Sequence, residues 1–230
     1  MDSFDYVKSN YLDLKKEIDN LAKTAGHEVT LVAVTKSGSD DELLALSEAG
    51  VSDIGENRPQ ELHRRGALLA ERGYRPLLHE IGNLQRNKVK LIIETVDLIH
   101  SLDSLSLAEE IDKQAKKVGR TVRVLIEINS GREEQKGGIM PEDAENFYLS
   151  LKQFSSLEVA GLMTMGPVCE EAEELRPYFK ETKELFDRLN RNHGFSGGIL
   201  SMGMSDSYAV AIEEGATLVR VGRKLFNRQA

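Results

Sequence analysis

The chain has 230 residues, of which 40% are hydrophobic and 19 are glycine, so it can bury a core without disulfides or metals to stabilise it. Its formal net charge of −8 argues against binding to nucleic acid or to an anionic membrane, and its one cysteine, Cys169, excludes an intrachain disulfide. The N-terminal segment is acidic and amphipathic and no apolar stretch is long enough to span a bilayer, so we expect a cytoplasmic protein.

Short apolar runs and longer amphipathic runs alternate along the chain. The first run, about residues 3–24, has apolar side chains at helical spacing. The short runs are closed by Gly, Ser, Asn or Asp and predict buried parallel strands over 30–35, 53–56, 77–82, 98–102, 123–129, 158–163, 198–202 and 217–221. The amphipathic runs predict helices over 40–48, 59–72, 85–95, 106–118, 141–154, 170–192 and 206–214. Pro141 suits a first turn, and Pro177 predicts a break or kink inside its helix.

This alternation predicts a single α/β domain over residues 1–230. Parallel strands need crossover connections, and eight right-handed strand–helix–strand units can close into a TIM-type (β/α)8 barrel. An end at six strands would instead favour an open doubly wound sheet. No helix follows the last predicted strand, so we expect the extra N-terminal helix to fill that outer position.

Lys36 follows the first predicted strand, at the end of the barrel where such enzymes have their active sites. A neutral lysine amine condenses with an aldehyde to form a Schiff base, so this position suits a carbonyl ligand. Taken alone, a lysine at a strand end more often extends into solvent, and the residue by itself favours that interpretation.

Two segments after the seventh and eighth strands suit phosphate, because barrels of this kind recurrently bind phosphate there. In the first segment, Gly203 allows backbone to approach a ligand closely, while Ser201 and Ser205 offer hydroxyl groups. In the second, Arg220 and Gly222 share one face of the strand. The alternatives are an ordinary helix cap and a surface ion pair, but three features at the strand ends of one barrel favour a ligand site.

Other polar residues near strand ends leave two interpretations open. Asn57 either hydrogen-bonds a ring substituent or caps the next helix. Lys136, in a charged loop after the fifth strand, is either a solvated lysine or a second, weaker contact to an aldehyde. No two histidines stand at metal-ligand spacing, so we expect no metal site, and Cys169 has no neighbouring histidine to activate a thiol.

Taken together, these segments resemble the pyridoxal 5′-phosphate (PLP) homeostasis protein family. The resemblance is collinear and extends over nearly the whole chain, and the order and spacing of the motifs make it specific. The matching segments are AVTK at 33–36, GEN at 55–57, HEIGNLQRNK at 79–88, GLM at 161–163, SMGMSD at 201–206 and VRVG at 219–222.

The resemblance implies an alanine-racemase-like N-terminal barrel that binds PLP as a Schiff base on Lys36. It further implies that the two serines and the glycine backbone hold the phosphate, and that Arg220 lies near the pyridine nitrogen. A permanently charged donor there keeps that nitrogen unprotonated and weakens the ring as an electron sink. The predicted cofactor-binding residues are Lys36, Asn57, Ser201, Gly203, Ser205, Arg220 and Gly222.

Two positions depart from the family pattern: Glu80 stands where an aromatic residue is common, and residues 131–134 form a loose version of the family loop. We also expect no counterpart of the β-rich domain that completes the racemase site. We therefore expect a non-catalytic, monomeric PLP carrier in vitamin B6 homeostasis, with PLP-dependent apoenzymes as partners. The alternatives are a PLP-dependent amino-acid racemase, with Tyr208 as its nearest acid–base candidate, and a barrel enzyme acting on a phosphorylated aldehyde.

Overall fold

Eight short parallel strands form a closed barrel in the computed structural model, which describes residues 4–228. The strands are β1 (Thr30–Val34), β2 (Asp53–Glu56), β3 (Leu77–Glu80), β4 (Leu98–Leu102), β5 (Val122–Ile128), β6 (Leu157–Thr164), β7 (Ile199–Ser201) and β8 (Leu218–Val221). Each pairs with its sequence neighbours, and β1 closes the ring against β8, with Val32 opposite Arg220. The predicted (β/α)8 barrel is confirmed, and its strand order brings every β-to-α loop to one end.

Helices surround the barrel. They are α1 (Asp5–Ala25), α2 (Asp40–Glu48), α3 (Pro59–Glu71), α4 (Val89–Ile92), α5 (Leu105–Lys117), α6 (Ala144–Leu151), α7 (Arg176–His193) and α8 (Tyr208–Glu213). Short 3-10 turns span Arg86–Lys88 and Ala172–Leu175. No helix within residues 4–228 has both the length and the apolar character needed to cross a membrane.

The N-terminal helix α1 lies against α2 and α8, which is the outer position predicted for it. Its buried side chains recur three and four residues apart, so they form one continuous stripe: Val7, Tyr11, Leu14, Ile18 and Ala22. The helix ends at Gly26, whose φ of 80° is in the left-handed region that glycine adopts without strain. Residue 3 of the predicted helix, like residues 1, 2, 229 and 230 of the predicted domain, lies outside the described residues.

Several helices are shorter than predicted, among them α8, which spans Tyr208–Glu213 of the predicted 206–214. The helix predicted over 85–95 is a 3-10 turn followed by the single turn α4, in a segment where β-branched residues lower helix propensity. The helix predicted over 170–192 begins only at Arg176, so Pro177 lies in its first turn, where a missing N–H costs little, and causes no kink inside it. The helix predicted from Pro141 begins at Ala144, because Pro141 lies in the preceding turn.

Apolar residues separate into two clusters. The larger cluster fills the layer between strands and helices. The smaller cluster lies inside the barrel and contains Val32, Leu98, Leu125, Ala160, Met163 and Leu218. The inner cluster is small for a closed eight-stranded barrel because buried polar side chains occupy part of the interior, among them His100, Ser201 and Arg220.

Helix α2 begins directly after the turn that carries Lys36, and a reciprocal cap fixes its first residue. Ser39 Oγ accepts from the Glu42 N–H at 3.2 Å, while the Glu42 carboxylate accepts from the Ser39 N–H at 2.6 Å. Replacing Ser39 with alanine is expected to lower the free energy of unfolding by about 1 kcal/mol in urea denaturation. Ser9→Ala, on the exposed face of α1, is the control, and equal stability of the two variants would contradict the prediction.

Candidate cofactor site

A cleft of about 960 Å³ opens at the end of the barrel where the strands finish. Ligand sites commonly occupy about 300–1,000 Å³, so the cleft accommodates a cofactor-sized molecule. It is bordered by loops that follow β1, β2, β3, β5, β6, β7 and β8. Five of the seven predicted cofactor-binding residues line it, namely Lys36, Asn57, Ser205, Arg220 and Gly222.

Lys36 lies in the turn just beyond β1 and extends, exposed, along the wall of the cleft. The turn is closed by a hydrogen bond of 2.9 Å from the Gly38 N–H to the Thr35 carbonyl. Asn57 lies on the neighbouring wall, after β2. The backbone of Asn57 passes so close to Gly82 that a Cβ atom there would lie 2.3 Å from the Asn57 carbonyl oxygen, so this wall requires glycine.

Arg65, on α3, fixes the turn around Lys36. It donates to the Thr35 carbonyl at 2.5 Å, to the Gly38 carbonyl at 2.5 Å and to the Glu56 carboxylate at 2.7 Å. Both charged side chains are buried, and the Thr35 hydroxyl donates to the same carboxylate at 2.5 Å. This role of Arg65 was not predicted from the sequence, although Arg65 interrupts the buried stripe of α3 and that interruption is a usable signal.

Ser205 and Gly222 form a corner of the cleft with the character of an anion site. The Gly222 N–H donates to Ser205 Oγ at 3.3 Å, so the Ser205 hydroxyl proton is available to a ligand. A Cβ atom on Gly222 would lie 2.9 Å from the carbonyl oxygen of Val34, so only glycine lets the ends of β8 and β1 approach this closely.

Ser201 and Gly203 lie behind the cleft and do not line it. Ser201 is fully buried, and its Oγ accepts from Arg220 at 2.5 Å and hydrogen-bonds His100 Nδ1 at 3.0 Å. Gly203 has a φ of 90°, and its carbonyl accepts from the Arg220 N–H at 3.1 Å. Both residues therefore contact Arg220 from the protein side.

Arg220 and Glu127 are two ionisable groups at the floor of the cleft. Burial lowers the pKa of Arg220 to about 10, so the guanidinium remains charged at neutral pH. Burial, reinforced by the nearby Asp103 carboxylate, raises the pKa of Glu127 to about 7. Glu127 was not predicted as a site residue, since a single carboxylate in the apolar strand β5 resembles an outward-facing position.

The outer rim of the cleft is mixed in character. Lys136 lines it, forms an ion pair with Glu133 and lies 3.4 Å from the Gly166 carbonyl. Three large apolar side chains on the rim are exposed, and these are Met165, Val168 and Met204.

Two residues considered from the sequence lie away from the cleft. Tyr208 donates to the Glu17 carboxylate at 2.6 Å and accepts from Lys224 at 2.7 Å, on the side of α1. Glu80 is fully buried behind the cleft wall, and its carboxylate accepts from the Gly82 N–H at 3.1 Å. Neither side chain lines the cleft.

Comparison with known proteins places this chain in a family. The family model for the N-terminal domain of alanine racemase matches residues 10–228. A pyridoxal phosphate homeostasis protein from Aquifex aeolicus is 41% identical over 199 residues, covering 86% of each chain. One from Helicobacter pylori strain 26695 is 36% identical over 227 residues, covering 94% of this chain and 99% of the relative. The chain belongs to the pyridoxal phosphate homeostasis protein family.

Solved structures agree with this membership in the pyridoxal phosphate homeostasis protein family. PipY from Synechococcus elongatus, solved with PLP bound, is similar with a TM-score of 0.83 and 29% identity, covering 96% of this chain and 100% of PipY. An unknown protein from Bifidobacterium adolescentis has a TM-score of 0.89 at 33% identity, covering 98% of this chain and 97% of that protein. Alanine racemase from Clostridium difficile gives 0.74 at 19% identity and covers 97% of this chain but 56% of the racemase, which shows a shared fold.

Proposed function

We propose that this protein holds PLP as a Schiff base on Lys36 and acts as a non-catalytic carrier in PLP homeostasis. The observation that carries the proposal is the convergence of an exposed lysine amine, the corner formed by Ser205 and Gly222, and the buried guanidinium of Arg220 on one cleft. When bound, PLP supplies an aldehyde that condenses with amines, a phosphate and an electron-withdrawing ring. The donors of the cleft suit all three groups.

The residues of the cleft divide these tasks. The Lys36 amine takes the aldehyde, the Ser205 hydroxyl donates to the phosphate while the Gly222 N–H orients that hydroxyl, and Asn57 faces a ring substituent. Arg220 offers its charge to the ring nitrogen from the floor. Ser201 and Gly203, which the sequence analysis assigned to the phosphate, act through their contacts with Arg220.

A carrier is favoured over a racemase by the groups that surround Lys36. Racemisation requires a second proton-transfer group opposite the lysine, and Tyr208 is bonded to Glu17 outside the cleft. Arg220 remains charged at neutral pH, and a charged donor leaves the ring nitrogen unprotonated, which weakens the ring as an electron sink. The proposal includes a monomer in the cytoplasm that delivers PLP to PLP-dependent apoenzymes.

Absorption spectroscopy with borohydride trapping tests the proposal. The protein with added PLP is expected to show the visible absorbance of a Schiff base, and borohydride is expected to fix one PLP-sized adduct on Lys36, located by mass spectrometry. Lys36→Ala is expected to lose both signals, whereas Lys90→Ala, on the exposed side of α4, is expected to keep them. A protein that stays colourless with PLP would contradict the proposal, and deuterium exchange at Cα of alanine would favour the racemase.

A further inference from the structure

A continuous line of hydrogen bonds crosses the barrel interior beneath the cleft. Arg220 Nη1 lies 2.5 Å from Ser201 Oγ, which lies 3.0 Å from His100 Nδ1. His100 Nε2 lies 3.0 Å from His79 Nδ1, and His79 Nε2 lies 2.9 Å from Asp53 Oδ1. All five side chains are more than nine-tenths buried. Asp53 and His79 border a small cavity of about 230 Å³ at the opposite end of the barrel, so the line extends from one end to the other.

If both histidines are neutral, the donors and acceptors along this line allow only one arrangement of protons. Arginine only donates, so Ser201 Oγ accepts from Arg220 and the Ser201 hydroxyl donates to His100 Nδ1. His100 then carries its proton on Nε2 and donates to His79 Nδ1. His79 in turn carries its proton on Nε2 and donates to Asp53. The reverse order would set an unprotonated His79 nitrogen against the Asp53 carboxylate, two acceptors facing each other.

Charge supports this order at both ends. Burial lowers the pKa of His100 well below its usual value, and the nearby Arg220 cation adds to the effect, so His100 is neutral. Burial alone would raise the pKa of Asp53, but hydrogen bonds from His79 and Ser52 outweigh it and hold the pKa below its usual value. The line therefore begins at a cation and ends at an anion, and each bond polarises the next in the same direction.

We propose that Ser201, His100 and His79 are positioning residues that fix the orientation and charge of the Arg220 guanidinium toward the cleft. One N–H of Arg220 goes to Ser201 and another goes to the Thr164 carbonyl at 3.1 Å, which fixes the plane of the group. Its other N–H donors remain for a ligand in the cleft that Arg220 lines. The proton order is independent of any ligand, whereas its consequence for the cofactor rests on the proposed function.

Nitrogen-15 NMR of the histidine rings tests the proton order in the protein without added PLP. Both rings are expected to carry a proton on Nε2, where each donates, and none on Nδ1, where each accepts. Ser201→Ala removes the acceptor for Arg220 and the donor to His100, so it is expected to shift the ring signals of His100. The signals of His193, which hydrogen-bonds Glu145 at 2.9 Å on the outside of the barrel, are expected to stay unchanged. A proton on Nδ1 of either histidine, or a charged His100, would overturn the inference.

Titration with PLP tests the consequence for the cofactor. Ser201→Ala is expected to weaken PLP binding about tenfold, in line with the loss of one hydrogen bond to a charged group, and to shift the visible absorption maximum while the Lys36 adduct still forms. Ser150→Ala, on α6, is the matched control and is expected to bind as the wild type does. Unchanged affinity and spectrum in Ser201→Ala would overturn the positioning role. A wild type that binds no PLP would contradict the proposed function and leave the NMR result standing.

Discussion

Replacing Arg65 with methionine is expected to lower the free energy of unfolding by about 3–5 kcal/mol, because it leaves the buried Glu56 carboxylate without a positive charge to pair with. The Thr35 and Gly38 carbonyls lose their donor in the same variant. For a chain of this length, the loss corresponds to a melting temperature lower by roughly 10 °C, measurable by calorimetry. Since both carbonyls flank Lys36, PLP binding is expected to weaken as well.

Arg64→Met is the matched control for this prediction. Arg64 is the neighbour of Arg65 on α3, but it is exposed and pairs with Asp40 and Glu61 at the surface. Exposed pairs of this kind contribute about 0–1 kcal/mol, so the Arg64 variant is expected to unfold close to the wild-type temperature. Equal destabilisation by the two substitutions would contradict the prediction, because Arg65 would then contribute no more to stability than the exposed Arg64.

Glu80 is expected to make the protein less stable as the pH rises, by about 3 kcal/mol between pH 5 and pH 8. Burial, with a smaller effect of the nearby Glu56 carboxylate, raises the pKa of Glu80 from its usual 4.5 to about 8. Each unit of pKa difference corresponds to about 1.4 kcal/mol. The unfolded chain releases this proton at lower pH than the folded protein does, so its contribution is complete below about pH 4.5 and is lost as the pH approaches 8.

Glu80→Gln removes the titrating group and is expected to flatten this dependence. In urea denaturation the variant is expected to exceed the wild type in stability at pH 8 and to differ little from it at pH 5. Among the described residues, Glu80 Oε2 has no hydrogen-bond partner, so the bond from the Gly82 N–H to the other oxygen only partly offsets the cost of burying the charge. Glu71→Gln, at the exposed end of α3, is the control. A parallel pH dependence in wild type and Glu80→Gln would contradict the raised pKa.

The barrel was predictable because most of its strands are short, mainly apolar runs closed by a turn residue, and this local pattern is visible without knowledge of tertiary contacts. Lys36, Arg220 and Gly222 were predictable for a related reason, since parallel strands present their ends at one edge. Helix limits were less predictable. A 3-10 turn and an α-helical turn bury side chains at nearly the same spacing, so the pattern around Val89 does not distinguish them.

The interior of the site was not predictable from the sequence. His79 and His100 stand in apolar strands and are separated by 21 residues, so only the closed ring shows that they touch. Ser201 and Ser205 share one motif, but they have different surroundings. Ser201 still belongs to β7 and faces inward, whereas Ser205 follows the turn at Gly203 and reaches the cleft.

The ring of strands has a seam, and the proposed cofactor site lies across it. Lys36 follows the first strand and Arg220 belongs to the last, and these two strands pair only when almost the whole chain has been made. Contacts of such large sequence separation form late and slowly in folding. A ligand held from both sides of the seam would stabilise the closed ring over every partly open form. The fraction of the protein that resists a protease would then report the fraction that holds PLP.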